Sequence, residues 1–468
     1  MTIRQVPGPD AAFLYGERPE WHFHVSALTI VDASESERFS ADEVIDQLRR
    51  RLHKLPQFRW KLMEAPLGMR LERPIWVDDP DFDLSNHVHR VGVPSPGDDH
   101  ALGTLVGRLV SFKIDRSRPL WEIWIIEGLE GGRVGLLAKI HHSMIDGQSG
   151  AEMATLLYDL ERDPEPLPEP PPYDAEPAPA ITQRLVLGGF NAAAWPLRAS
   201  KMGLQMARQS VTMARHALGD APPAQPLQGP RTPLNGKLTP DRSFAKGAVS
   251  LSDAKKVKDA FEVKLNDVIL AISATALRNY LATVDSVPEN PLVAQVPVSL
   301  RDEANKSDIG TKVANMFCSL ATDIDDPVER LRAIHESSQR GKVMRQELTD
   351  QQAVNFTETT PPALIAIAAR AWSMAELDAR TPPIFNLIIS NVAGPPFDLF
   401  CAGAKIEAMY PMGPLLAGTG VNFTVVSSAD RLDFGVMACP SLVPDPWAIA
   451  EEFGPALEVL LEAADESA

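Results

Sequence analysis

Residues Trp121–Glu127 read WEIWIIE, Arg133–Ile140 read RVGLLAKI, and the chain then runs His141-His142-Ser143-Met144-Ile145-Asp146-Gly147. Two apolar runs joined through Gly128, Gly131 and Gly132 predict a β-hairpin, so the paired histidines stand where a buried strand gives out. Adjacent strand side chains point to opposite faces, so one histidine can face a cavity while the other packs or hydrogen-bonds into its wall. Beyond Gly147 the apolar residues Met153, Leu156, Leu157 and Leu160 recur at helical spacing. Asp146-Gly147 is therefore the turn from strand to helix, and Gly147 permits a tight bend. Imidazole titrates near neutrality and can take a proton from an alcohol and return one to a leaving group. His142 is read as the general base and His141 as its support. Asp146 follows too closely for a serine-hydrolase relay, and a carboxylate in a buried turn more often pairs with a cation, so its role is architectural.

At 468 residues the chain exceeds what one hydrophobic core normally supports, and two domains are expected. With 44% hydrophobic and 23% charged residues it has the composition of a soluble globular protein. A net charge of −17 argues against nucleic acid as a partner, because phosphate binding needs a basic footprint. Cys318, Cys401 and Cys439 make neither a metal pattern nor a disulfide framework, which fits a reducing cytoplasm. Asp78, Asp79, Asp81 and Asp83 with His87 and His89 match no metal spacing and read as a solvated turn, so no metal is expected. The N-terminal residues lack the apolar core of a signal peptide, and no eighteen apolar residues run together. A cytoplasmic protein that does not span a membrane is expected.

Asp163–Pro179, DPEPLPEPPPYDAEPAP, is too rich in proline for helix or sheet and reads as a stiff, solvated connector. From Ile181 to Gly219 the chain carries Arg184, Arg198, Lys201, Arg208 and Arg215 with no acidic residue, interleaved with leucine and methionine. This basic helical stretch, interrupted near Pro196, is either a surface for anionic lipid or an apolar tunnel, or a linker helix packed across both domains. The division is thus 1–162, a linker 163–230, and 231–468. Periodicity predicts a strand at His22–Val31 and helices at Ala41–Leu52, with Ser40 as N-cap, and Leu102–Phe112. In the second half it predicts helices at Asn266–Leu281, Pro327–Val343 and Trp447–Ala463, and strands at Leu292–Val298, Phe385–Ile389, Gly420–Val426 and Leu432–Ala438. Both halves are mixed α/β.

The ordered motifs amount to a resemblance. They are Asp10–Leu14, Trp76-Val77-Asp78-Asp79, His87-Val88, Arg118-Pro119-Leu120-Trp121-Glu122, the HHxxxDG heptad, Leu234-Asn235-Gly236, Asn266-Asp267-Val268, Pro297–Arg301 and Ser390-Asn391-Val392 with Gly394-Pro395. Over nearly its whole length the chain resembles the bacterial bifunctional wax ester synthase and acyl-CoA:diacylglycerol acyltransferase family. HHxxxDG alone marks a wider superfamily that includes chloramphenicol acetyltransferase and peptide-synthetase condensation domains. The resemblance implies two domains of the CoA-dependent acyltransferase fold with a central channel reaching His142 from both mouths. It also implies acyl-CoA as a substrate, no cofactor, and diacylglycerol or a long-chain alcohol as acceptor, with peripheral contact to the inner membrane or to lipid inclusions.

Acyl transfer passes through a tetrahedral oxyanion that fixed donors must stabilise, and Asn266 and Ser299 are the candidates. Asn266 or Asp267 would equally serve as a helix cap. In related condensation domains an arginine holds the heptad aspartate; Arg59 resembles that position, and Arg301 is the alternative. Pro119, Leu120 and Trp121 either line an acyl tunnel or belong to the core. Three rival readings remain. His141-x4-Asp146 also fits the HxxxxD pattern of glycerol-phosphate acyltransferases. A serine hydrolase lacks its G-x-S-x-G elbow here. A family member that binds lipid without turnover is the third.

Overall fold

The computed structural model describes residues 3–34, 36–64, 73–144, 154, 156–185, 200, 228–299, 313–347, 362–376 and 381–467. Its helices are α1 (Gly8–Gly16), α2 (Ala41–Arg51), α3 (Asp99–Ser111), α4 (Leu251–Ala260), α5 (Leu265–Thr283), α6 (Pro327–Glu347), α7 (Pro362–Met374) and α8 (Phe453–Ser467). The strands are β1 (Arg4–Gln5), β2 (His24–Asp32), β3 (Trp60–Met63), β4 (Ile75–Asp78), β5 (Val88–Gly92), β6 (Trp121–Glu127), β7 (Arg133–His141) and β8 (Ser243–Ser250). They continue as β9 (Val293–Ser299), β10 (Val313–Ser319), β11 (Leu387–Ala393), β12 (Phe400–Cys401), β13 (Ala404–Met412), β14 (Val421–Ser428) and β15 (Arg431–Ala438).

Two six-stranded sheets dominate. The first has the order β12-β13-β2-β7-β6-β5 and the second β10-β9-β11-β14-β15-β8, with a small β1-β4-β3 sheet beside the first. The anticipated hairpin is β6–β7, and the left-handed glycines Gly128, Gly131 and Gly132 close it. On one face of the first sheet α2 and the turn that follows it bury Val44, Leu48 and Leu52 against Ile123, Ile125, Leu136 and Ile140. Ser40 caps that helix as expected, its Oγ accepting the Glu43 N–H at 3.1 Å. On the other face α3 sets Leu102, Val106 and Leu109 against Leu28, Ile30 and Leu137, and the same cluster takes in Phe244, Met437 and Cys439 from the second half. The interior between the halves is therefore one continuous core. The second sheet is covered by α4, α5, α6 and α8.

A cut at residues 163–230 does not separate the two sheets. Strand β13 lies at residues 404–412, yet it pairs antiparallel with β2 and completes the first sheet. Its alternating burial fits a strand with one packed face, but alternation does not name a partner so far away in sequence. Where it crosses the second sheet, Asp433 Oδ2 accepts the Met409 N–H at 2.9 Å, and a Cβ on Gly435 would lie 1.9 Å from the Pro411 carbonyl oxygen. Only glycine permits that approach.

The proline-rich connector has no regular structure through residue 180, and it is strapped to the first half rather than free in solvent. Glu169 pairs with Arg49 at 3.1 Å and Arg50 at 2.8 Å, and Glu176 with Arg4 at 3.2 Å. Of the basic stretch 181–219, only Ile181–Leu185 and Ser200 fall within the described residues. Leu160, expected on a buried helical face, is 70% exposed, whereas Leu156 and Leu157 are buried. The closing helix is broken: a short turn at Trp447–Ala450 precedes α8, because Pro455 has no N–H and is tolerated only in a first helical turn.

Candidate active site

The paired histidines sit at the end of β7, with His141 opposite His24 of β2 in the ladder. Main-chain bonds stitch the turn to both neighbours: His141 N–H to the Leu120 carbonyl at 2.9 Å, and His142 N–H to the Phe23 carbonyl at 2.7 Å. Residues His142–Met144 then form a single 3₁₀ turn. His141 points into the wall, 2% exposed, and its Nδ1 accepts the Ser143 N–H at 3.1 Å with Ser143 Oγ at 2.8 Å. That acceptor role puts the His141 proton on Nε2. Burial holds this imidazole well below the usual histidine range.

His142 keeps some exposed surface, but its Nδ1 is shut off from solvent, so a substrate proton must reach Nε2. The Phe13 ring stacks on it, with centroids 4.0 Å apart and planes inclined 28°. Burial lowers its pKa to about 4, opposed by a contact with its own main-chain carbonyl. That contact falls short of a well-formed hydrogen bond, since Nδ1 has no partner of good geometry among the described residues. The ring is thus held neutral at physiological pH.

Two further histidines, His22 and His24, escaped the sequence reading, although their period-2 spacing at the start of an apolar strand was visible. Nε2 of His24 meets the Val110 carbonyl at 2.8 Å, Nε2 of His22 meets the Pro19 carbonyl at 2.6 Å, and the rings lie 5.6 Å apart. Burial is the main cause that lowers both, His22 to about 4. Next to them buried Lys139 donates to the Leu109 carbonyl and to Glu122, each at 3.3 Å. Lys139 and His24 therefore satisfy the last carbonyls of α3, which a helix end leaves without intrahelical partners.

Between the halves lies a cavity of about 690 Å³ whose wall is almost wholly apolar. The first half contributes Trp21 and Phe23; the second contributes α7 through Leu364, Ala368 and Trp372, together with Phe385 and Leu416. Phe23 also contacts Phe13, at 5.5 Å between ring centroids. Two rings in contact, Phe23 and Phe13, therefore link the cavity wall to His142. Neither Phe13 nor α7 had been marked in the sequence as part of the site.

Of the other candidates, Asp146, Gly147 and Arg301 lie outside the described residues. Arg59 stacks its guanidinium over Tyr173 of the connector, 4.5 Å from the ring centroid, and faces Phe82 at 5.7 Å. Asp267 is a cap: its Oδ2 accepts the Lys264 N–H at 3.1 Å and pairs with His335 of α6 at 2.6 Å. Asn266 precedes it in the first turn of α5, half-buried, and Ser299 ends β9 opposite Val313. The described contacts do not link Asn266 to His142. The tunnel reading of residues 119–121 gives way to core packing. Leu120 is buried with Val6, Ala11 and Leu14, and Trp121 donates Nε1–H to the Phe58 carbonyl at 2.8 Å and stacks on His87. Pro119 is buried beside them, and none of the three lines the cavity. Their service to the site is indirect, through the Leu120 carbonyl that holds His141. Among the described residues no group of three histidine, cysteine or acidic side chains could hold a metal ion.

Paired histidines at a strand end, beside an apolar cavity between two mixed sheets, define a CoA-dependent acyltransferase type of architecture. The first condensation domain of the calcium-dependent antibiotic synthetase shares this fold at 15% identity, with a TM-score of 0.55 over 100% of this chain and 97% of that one. The catalytic domain of wax ester synthase/diacylglycerol acyltransferases matches residues 7–269, and the C-terminal domain of the same group matches residues 309–461. A Mycobacterium tuberculosis protein named as a candidate diacylglycerol O-acyltransferase is 33% identical, over 99% of this chain and 91% of its own length. The wax ester synthase/diacylglycerol acyltransferase of Marinobacter aquaeolei VT8 superposes with a TM-score of 0.71 at 29% identity, over 99% of this chain and 100% of that one. The chain belongs to the wax ester synthase/diacylglycerol acyltransferase family. That fold and family go with the HHxxxDG reading and set aside the HxxxxD alternative.

Proposed function

We propose that the protein transfers a long-chain fatty acyl group from acyl-CoA to the hydroxyl of diacylglycerol, and also to long-chain alcohols, with Nε2 of His142 as general base. The observation that carries this reading is a neutral imidazole at the end of β7, joined through the Phe13 and Phe23 rings to the wall of a large apolar cavity, in a chain of this family. The acceptor hydroxyl gives its proton to Nε2 as its oxygen attacks the thioester carbonyl. The tetrahedral oxyanion collapses, the carbon–sulfur bond breaks, and the CoA thiolate takes the proton from the imidazolium. A low proton affinity has two consequences. The ring is unprotonated at neutral pH, though a weaker base than a free imidazole, and once protonated it readily hands its proton on to sulfur. Asn266 and Ser299 remain the candidates for holding the oxyanion.

The acceptor is a bilayer lipid, so the protein must meet a lipid surface from the cytoplasmic side. Leu364, Ile367 and Met374 support this: they lie along the exposed side of α7, 44%, 61% and 79% exposed, and Leu364 also lines the cavity. Among the described residues no helix is long and apolar enough to cross a membrane, which accords with peripheral contact. The test is an assay of purified protein with labelled palmitoyl-CoA, offered dioleoylglycerol or hexadecanol in turn. Ester should form, and His142→Ala should lower the rate by at least about a hundredfold while the fold and lipid adhesion persist. Turnover unchanged in that variant would remove the mechanism; adhesion without turnover in the wild type would favour a lipid-binding role.

A further inference from the structure

Among the described residues no well-formed hydrogen bond to Nδ1 holds the His142 ring. What meets the ring is an aromatic face. Phe13 stands on α1 within the Asp10–Leu14 motif, its centroid 4.0 Å from that of the imidazole. The helix beneath it is anchored without any help from the histidine. Ala11, Leu14 and Tyr15 are buried, Arg116 donates to the Leu14 carbonyl at 2.7 Å, and the Tyr15 hydroxyl donates to Glu64 at 2.7 Å. Phe13 therefore presents a flat surface from a rigid platform. On its other side it touches Phe23, whose ring lines the cavity and whose carbonyl holds the His142 N–H.

A general base works only when its lone pair points at the proton it removes, and small misalignments are costly in rate. We propose that Phe13 is a positioning residue: stacking fixes the plane of the His142 imidazole so that Nε2 faces the acceptor hydroxyl, with Phe23 bracing the stack from the cavity side. This rests on the reading of His142 as the base. Phe13 itself is absent from the cavity lining, so its role differs from that of a wall that measures acyl length.

The test compares Phe13→Leu and Phe13→Tyr with the wild type, using butyryl-CoA and palmitoyl-CoA as donors. The leucine variant should lose about tenfold in kcat with both donors and keep KM within twofold, since positioning acts on the reacting centre and not on chain binding. Tyrosine, which restores the flat face, should restore kcat. An unchanged kcat, or a rise in KM confined to palmitoyl-CoA, would overturn the assignment. A second arm works even without turnover: carbethoxylation of His142 by diethyl pyrocarbonate, mapped by peptide mass. Phe13→Ala should speed modification of His142 severalfold, and an unchanged rate there would refute the stack in solution. A wild-type protein that makes no ester would instead sink the functional reading, leaving this second arm to decide the role of Phe13.

Discussion

An imidazole accepts a proton only while it is neutral, and the described surroundings of His142 favour that state. Phe13 covers one face, His141 is buried and uncharged, and burial brings the pKa to about 4. An unperturbed histidine, titrating near 6.5, would be only about one-tenth neutral at pH 5.5. The structure gives a different expectation. Initial-rate kcat/KM, measured on protein shown to be folded at each pH, should stay within about twofold from pH 7.5 to 5.5, where the unperturbed ring would lose about tenfold. An acidic limb with its midpoint near 6.5 would mean that water reaches the ring and that Phe13 does not shield it.

At the scale of elements, the joint between the halves is β13, which leaves the second half to finish the first sheet. Its tightest point is Gly435 of β15, where an added Cβ would meet backbone that cannot yield. Gly435→Ala should lower the urea midpoint by the equivalent of about 1–3 kcal/mol or more, as overpacking does. Gly92→Ala, where an added Cβ meets nothing within 4 Å, should stay within about 0.5 kcal/mol of the wild type. Equal midpoints for the two would mean that the sheets do not pack so closely. This joint also marks the limit of what the sequence discloses. The β6–β7 hairpin, α2 with its Ser40 cap and the long apolar α5 rest on local periodicity and turn chemistry, and were legible. The histidine pair was legible too, because a strand end followed by Gly147 is a local pattern. Strand β13 alternates clearly, but its partner lies some 380 residues upstream, and nothing local encodes that pairing. Phe13, Phe23 and α7 come to the site by the same kind of long-range packing, so their residue types alone gave no sign. Trp121 stayed open in the sequence for a different reason: an apolar residue next to the histidine strand fits a tunnel wall or a core, and it is the Phe58 and His87 contacts that show it packed.

For the whole molecule, the neutral histidines that prepare the site also link its stability to pH. His22, His24, His87, His141 and His142 are all lowered chiefly by burial, His22 and His142 to about 4. In the unfolded chain each would titrate near 6.5. Between those values the unfolded state binds more protons, so stability is full above about pH 6.5 and falls as pH drops toward 4. Each such group can contribute a slope of up to about 1.4 kcal/mol per pH unit. Carboxylates held low by their hydrogen bonds, such as Asp32 and Asp46, destabilise only below their ordinary range near 4, while buried Asp433, raised by burial, acts in the opposite sense, so the five histidines dominate the fall from pH 7 to 5. The urea midpoint should therefore fall steadily from pH 7 to 5, and His22→Gln, which removes a buried titrating ring away from the catalytic turn, should flatten that slope whatever it does to the midpoint at pH 7.5. A midpoint independent of pH across this window would show that the rings are solvated in the folded protein. Measured beside the flat kcat/KM, the falling midpoint would show that acid weakens the fold while the base stays available.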